Sequence, residues 1–211
     1  MAYNFTATNS QFLSMPIAVV SGAPVTMACW YNRTSSATTQ SYVSVSNTTS
    51  TNILSLTHGS NNFISALASD GVTGPQTQVY PDSSINTWNH GCAVFNSNSS
   101  RQVFWNGINA GITTTTSNVS NLNVTIVGGR YSAGVLGQYG NGNIAEVGIW
   151  NISLTNEEIA SLAKGMTCDK VRPQNLVFYA PLIRDLQDTK GGLTITNNNG
   201  ATIADHPRIY K

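Results

Sequence analysis

Nine carboxylates, three histidines, three cysteines and eight tyrosines hold most of the reactive chemistry of this 211-residue chain. Their spacing narrows what they can do. Retaining hydrolysis of a glycoside needs two carboxyl groups roughly 5 Å apart, a separation that alternate residues of one strand can supply on one face. In Ile144–Trp150 the alternating face reads Ile144, Glu146, Gly148, Trp150, one carboxylate without a partner. Glu157 and Glu158 fall where a helix begins, a position its dipole favours for acids. Serine is too abundant for any one to stand out, and no G-x-S-x-G occurs. His58, beside Gly59, reads as a solvated turn residue, and His90 as a satisfied strand residue. None of the histidines is spaced for a metal with another His or Cys. Asp185 and Asp188 are the one close acidic pair, and Arg184 offers them a salt bridge instead of a cation. No catalytic residue, metal or cofactor is expected.

Aromatic rings flanked by amides are the remaining candidates, because a sugar packs its apolar face on a ring. Tyr131, Tyr139 and Asn141, in or beside the glycine-rich stretch 128–142, are the expected ligand-binding residues. Near the end of the chain His206, Arg208 and Tyr210 are expected to form a docking tail. Cys29 and Cys92 sit inside apolar runs and read as buried thiols. The odd number of cysteines and the absence of a basic-then-apolar start point to synthesis in a reducing compartment.

Only 9% of residues are charged, against about 25% in an ordinary soluble domain. Serine, threonine and asparagine (23, 24 and 24) replace them as 71 of 211 residues. A net charge of +1 gives no field for nucleic acid, and no apolar run approaches the ~20 residues of a membrane helix. Hydroxyls and amides suit strands and turns. The pattern predicts strands at Val25–Tyr31, Ser41–Ser46, Asn52–Thr57, Phe63–Ser69, Gln76–Tyr80, Trp88–Phe95, Arg101–Trp105, Val124–Val127, Ile144–Trp150, Leu176–Leu182 and Leu193–Thr196. Asn106-Gly107 is a hairpin-turn pair. One helix is predicted near residues 156–164, with Thr155 and Glu158 as a capping box, Leu154 and Ile159 as a staple and Gly165 as the stop. The expected fold is all-β, an antiparallel β-sandwich or jelly roll. It forms one domain over 1–211, with 166–211 an extension adding strands and a tail.

Four segments, in order, resemble the laminin-G-like, concanavalin A-like jelly roll: Thr87-Trp88-Asn89-His90-Gly91-Cys92-Ala93-Val94, Arg101–Gly107, Val124–Arg130 closing on Gly-Gly-Arg, and Gly142–Asn151 followed by Leu154-Thr155 and Glu157-Glu158-Ile159. The chain departs from the family in having Ala145-Glu146 where an acidic pair is usual. Leu176–Leu182 resembles the family's opening strand, so it is expected beside Tyr3–Met15. The ending, Gly200–Tyr210, resembles tails of laminin-G-like structural proteins of tailed bacteriophages. That resemblance implies a non-enzymatic virion structural protein, a surface-displayed head decoration or tail accessory, assembled in the host cytoplasm. Its partners would be other virion proteins, further copies of itself and host cell-surface glycan, with no nucleic acid and no membrane insertion. The alternative is a soluble lectin-like carbohydrate-binding module not tied to a virion.

Overall fold

A computed structural model describes residues 1–72, 76–79 and 85–206. The alternation of Val25–Arg33 (β3 in chain order) puts Val25, Met27, Cys29 and Tyr31 into the core between two sheets. Ala28 faces a second apolar layer on the other side. A strand apolar on both faces belongs in the middle of a sheet, and β3 lies between Asn89–Ser97 (β8) and Gly142–Trp150 (β14).

The remaining strands are β1 (Ala2–Phe5), β2 (Phe12–Met15), β4 (Gln40–Ser46), β5 (Asn52–His58), β6 (Ile64–Asp70), β7 (Gln76–Val79), β9 (Ser100–Trp105), β10 (Ile108–Thr113), β11 (Val124–Val127), β12 (Arg130–Ser132), β13 (Val135–Gly137), β15 (Leu176–Ala180), β16 (Thr196–Asn198) and β17 (Thr202–Ala204). One sheet runs β10-β9-β8-β3-β14-β1-β17, with β15 also on β14; the facing sheet runs β16-β2-β11-β4-β5-β6-β7. Every pairing between these strands is antiparallel. The expected sandwich is therefore the observed one. Tyr80 of the predicted Gln76–Tyr80 strand lies outside the described residues.

Each sheet carries a cover on its outer face. Over the first sheet lies the helix α1 (Asn156–Ala163). Thr155 caps it through the Glu158 N–H, Glu158 reaches back to the Thr155 N–H, and Leu154 and Ile159 are both buried. Leu162, Cys168, Val171 and Leu176 join Trp150, Phe104 and Val94 to make the second apolar layer beneath it. Trp150 Nε1 donates to the Val171 carbonyl at 2.7 Å, so the buried indole keeps its hydrogen bond. Over the second sheet lies the hairpin of β12 and β13. Asn106 and Gly107 both have positive φ, as the two-residue turn from β9 to β10 requires. No helix among the described residues is long and apolar enough to cross a membrane.

Leu176–Leu182 does not lie beside Tyr3–Met15 as expected. β1 takes Gly142–Ile144 of β14, and β15 takes Val147–Trp150 further along the same edge. A bulge at Glu146, whose φ is 52°, separates the two stretches. The partners of the N-terminal strands in the C-terminal region are instead β16, on β2, and β17, on β1.

Candidate functional site

The outer face of the second sheet is built from alternation. Val43, Val45, Leu54, Leu56, Ile64 and Ala66 turn into the core. Ser44, Ser46, Ser55, Thr57 and Ser65, the residues between them, must then turn outward. All five are nevertheless buried, together with Ser41. The β12–β13 hairpin is what covers this side, lying across β4 and β5. The Gly129 carbonyl accepts from Ser44 Oγ at 2.8 Å, and the Gln138 carbonyl accepts from the Ser41 N–H at 2.8 Å. The hairpin tip at Gly134 reaches Thr48 and Thr49, in the turn between β4 and β5.

The polar layer is only partly satisfied. Ser41 Oγ and Ser55 Oγ lie 2.6 Å apart, and Ser55 Oγ lies 3.0 Å from Thr57 Oγ1. Ser46 Oγ, Ser65 Oγ, Gln138 Oε1 and the Nε and Nη1 of Arg130 are sealed from solvent without a hydrogen-bond partner. Burial lowers the pKa of Arg130 to about 10, which leaves it a cation at neutral pH. None of the three ion pairs among the described residues involves it.

The three expected ligand residues are gathered by this hairpin and its return. Tyr131 is half-buried in the middle of β12, opposite Leu136. Tyr139 follows β13, its ring 6.1 Å from that of Phe12 and its hydroxyl donating to the Leu136 carbonyl at 3.4 Å. Asn141 anchors the foot, its N–H on Gln40 Oε1 and its carbonyl accepting from the Thr34 N–H, both at 3.0 Å. Sequence reasoning missed Arg130 and Gln138. The Gly-Gly-Arg signature marked the place, but nothing in it foretold guanidinium nitrogens sealed without a partner.

The expected docking tail is not a free tail at its first residue. His206 folds onto the first sheet, its Nε2 3.1 Å from Glu146 Oε1. Arg208 and Tyr210 lie outside the described residues. Glu146 itself is 4% exposed; Tyr179 donates to its Oε2 at 2.5 Å, and Cys168 Sγ lies 3.6 Å from its carbonyl. This carboxylate is thus closed in near the helix-covered face, while the polar layer under the hairpin belongs to the opposite sheet.

The other histidines also differ from expectation. His58 is buried, not solvated, because β5 carries it under the end of β3. Arg33 Nη1 lies 3.0 Å from its Nδ1, and Arg33 Nη2 donates to Asn62 Oδ1 at 2.7 Å. Burial and then the Arg33 charge lower the His58 pKa to about 4, so Nδ1 is free to accept. His90, expected to be satisfied, leaves Nδ1 without a partner and packs its ring 5.5 Å from Trp30. Burial lowers its pKa to about 3. Asp188 does not bridge to Arg184 as anticipated, since its carboxylate accepts the backbone N–H groups of Tyr179, Lys190, Gly191 and Leu193. Among the described residues no three of His, Cys, Asp and Glu converge as metal ligands.

Comparison with known proteins places this architecture. A heptameric SAP-like pentraxin from Limulus polyphemus superposes with a TM-score of 0.71 at 14% identity, over 95% of this chain and 93% of the pentraxin. The CBM40 of the Ruminococcus gnavus IT-sialidase, solved with α2,3-sialyllactose, gives a TM-score of 0.60 at 16% identity over 69% of this chain and 84% of its own. NanB sialidase from Streptococcus pneumoniae gives 0.61 at 17% identity, over 75% of this chain but 27% of the sialidase. At these identities the likeness is one of fold. No curated protein matches by sequence. Residues 7–160 match the Laminin_G_3 family, described as the concanavalin A-like lectin/glucanases superfamily, and the chain belongs to that family.

Proposed function

We propose that this protein is a non-enzymatic carbohydrate-binding module whose glycan lies against the β12–β13 hairpin. The observation that carries the reading is a half-buried tyrosine, Tyr131, on a hairpin laid over a buried layer of serine and threonine hydroxyls. A ring offers a sugar its apolar contact, and hydroxyl, amide and guanidinium groups match sugar hydroxyls. The CBM40 and pentraxin likenesses support a recognition module on this scaffold. Against hydrolysis stands the enclosure of Glu146 by Tyr179 and His206. A glycan array tests the reading. Binding should fall about tenfold or more in Tyr131→Ala, and no reducing sugar should be released from any bound glycan. An array without a single ligand would overturn it.

We further propose that the module works on the surface of a phage particle and binds there to other virion proteins or to copies of itself. Its three cysteines are free and buried, so folding asks for no oxidising compartment. The phage-like ending of the sequence supports the same placement. Purified particles should contain the chain by mass spectrometry, and its absence from them would refute the assignment.

A further inference from the structure

The cation beneath the hairpin narrows the kind of glycan, an inference that rests on the carbohydrate-binding reading above. We propose that Arg130 recognises an anionic group, the carboxylate or sulfate of an acidic sugar.

Three observations converge on it. First, Arg130 presents five N–H donors, and those on Nε and Nη1 are sealed without an acceptor. Second, none of the ion pairs among the described residues involves Arg130. Guanidinium nitrogens withdrawn from water without an acceptor are unfavourable unless something outside the chain pairs with them. Third, Gln138, next to Gly137, the cross-strand partner of Arg130, leaves its Oε1 sealed and in need of a donor. Both side chains leave polar atoms for a ligand to satisfy, and an acidic sugar carries acceptor oxygens for the guanidinium as well as hydroxyl donors for an amide oxygen. Its carboxylate or sulfate accepts from the guanidinium in the two-pronged geometry arginine favours.

Entry is from the side of Arg130 that solvent reaches, since the residue as a whole is only partly buried. The hairpin holds itself by three residue pairs.

The test uses the full chain and matched oligosaccharides, each as its neutral hexose form, its uronic acid form and its O-sulfated form. The acidic forms should bind about tenfold tighter than the neutral parent at low ionic strength, and added salt should shrink that ratio. Carboxylate preferred over sulfate, or the reverse, identifies the source of the anion. Arg130→Gln should bring the acidic-to-neutral ratio close to one. Arg130→Lys should retain part of it, because lysine keeps the charge but not the planar fork. If Arg130→Gln does not fold, the wild-type ratio, its salt dependence and Arg130→Lys decide. Equal binding of acidic and neutral forms overturns this inference and leaves the carbohydrate-binding reading standing. A preference for acidic forms unchanged in both variants also overturns it. No binding of any form removes both.

Discussion

His58 and His90 are two buried imidazoles whose pKa values have been lowered, to about 4 and about 3. An unfolded chain binds their protons below pH 6.5 while the folded chain does not, so stability falls as the pH drops through that value. By pH 5 the loss should be about 2 kcal/mol for each histidine. Urea unfolding at pH 7 and pH 5 measures it, and His58→Gln should flatten the dependence while offering Arg33 an amide oxygen. A stability unchanged between those two pH values would contradict the burial of both rings. Neither behaviour was legible in the sequence. His58 looked like a turn residue because Gly59 follows it, yet the turn begins after it and its own position completes β5. The place of the tyrosines was readable only as a choice, because a ring in a glycine-rich stretch either packs on the body or meets a ligand. Tyr139 packs against Phe12, and Tyr131 stays half-buried on β12, where the proposed glycan contact would use it.

At the scale of elements, periodicity served best where strands were long. β3, β4, β5 and β14, of seven to nine residues, were all anticipated to within two residues at either end. β12 and β13 were not, since three-residue strands carry no alternation to read. The same holds for β16, which begins where the predicted Leu193–Thr196 ends, and for β17. The helix was legible because its start is written in local chemistry, Thr155 and Glu158 satisfying each other's N–H groups. Thr155→Ala should cost about 1 kcal/mol in unfolding free energy, with the native spectrum retained. Gly142→Ala should cost considerably more. Its φ is 129°, and a Cβ there would sit 2.2 Å from the Asn32 carbonyl oxygen, backbone that cannot yield. Equal stability for the two variants would show that the junction of β14 with β3 is looser than it is drawn.

At the scale of the whole molecule, the scarcity of charge takes on a structural meaning. Sheet faces that would ordinarily meet water are roofed, one by a helix and one by a hairpin, so the chain needs few ions to stay solvated on them. The thiols report on that enclosure. Cys29, Cys92 and Cys168 are all buried, and burial raises the pKa of each. A thiol reagent should label none of them in the native protein and all three in denaturant, at a rate set by unfolding rather than by reagent. Rapid labelling of Cys168 alone would show that the layer beneath the helix opens independently. Fold class was readable because alternation and turn residues are local, and the four family segments lie in order. Pairing partners were not, since what selects them is the fit of faces brought together from distant parts of the chain.

The position of β1 has a consequence for how the molecule comes into being. Residues 2–5 lie between strands at 142–144 and 202–204, so their neighbours are made long after they are. On a ribosome β1 must wait, unpaired, until residues 142–144 have emerged, and its other edge stays open until residues 202–204 follow. Contacts between such distant positions also make folding slow. Newly made chains should therefore spend their vulnerable period with an open edge at each sheet, and should call on chaperones until β16 and β17 have joined.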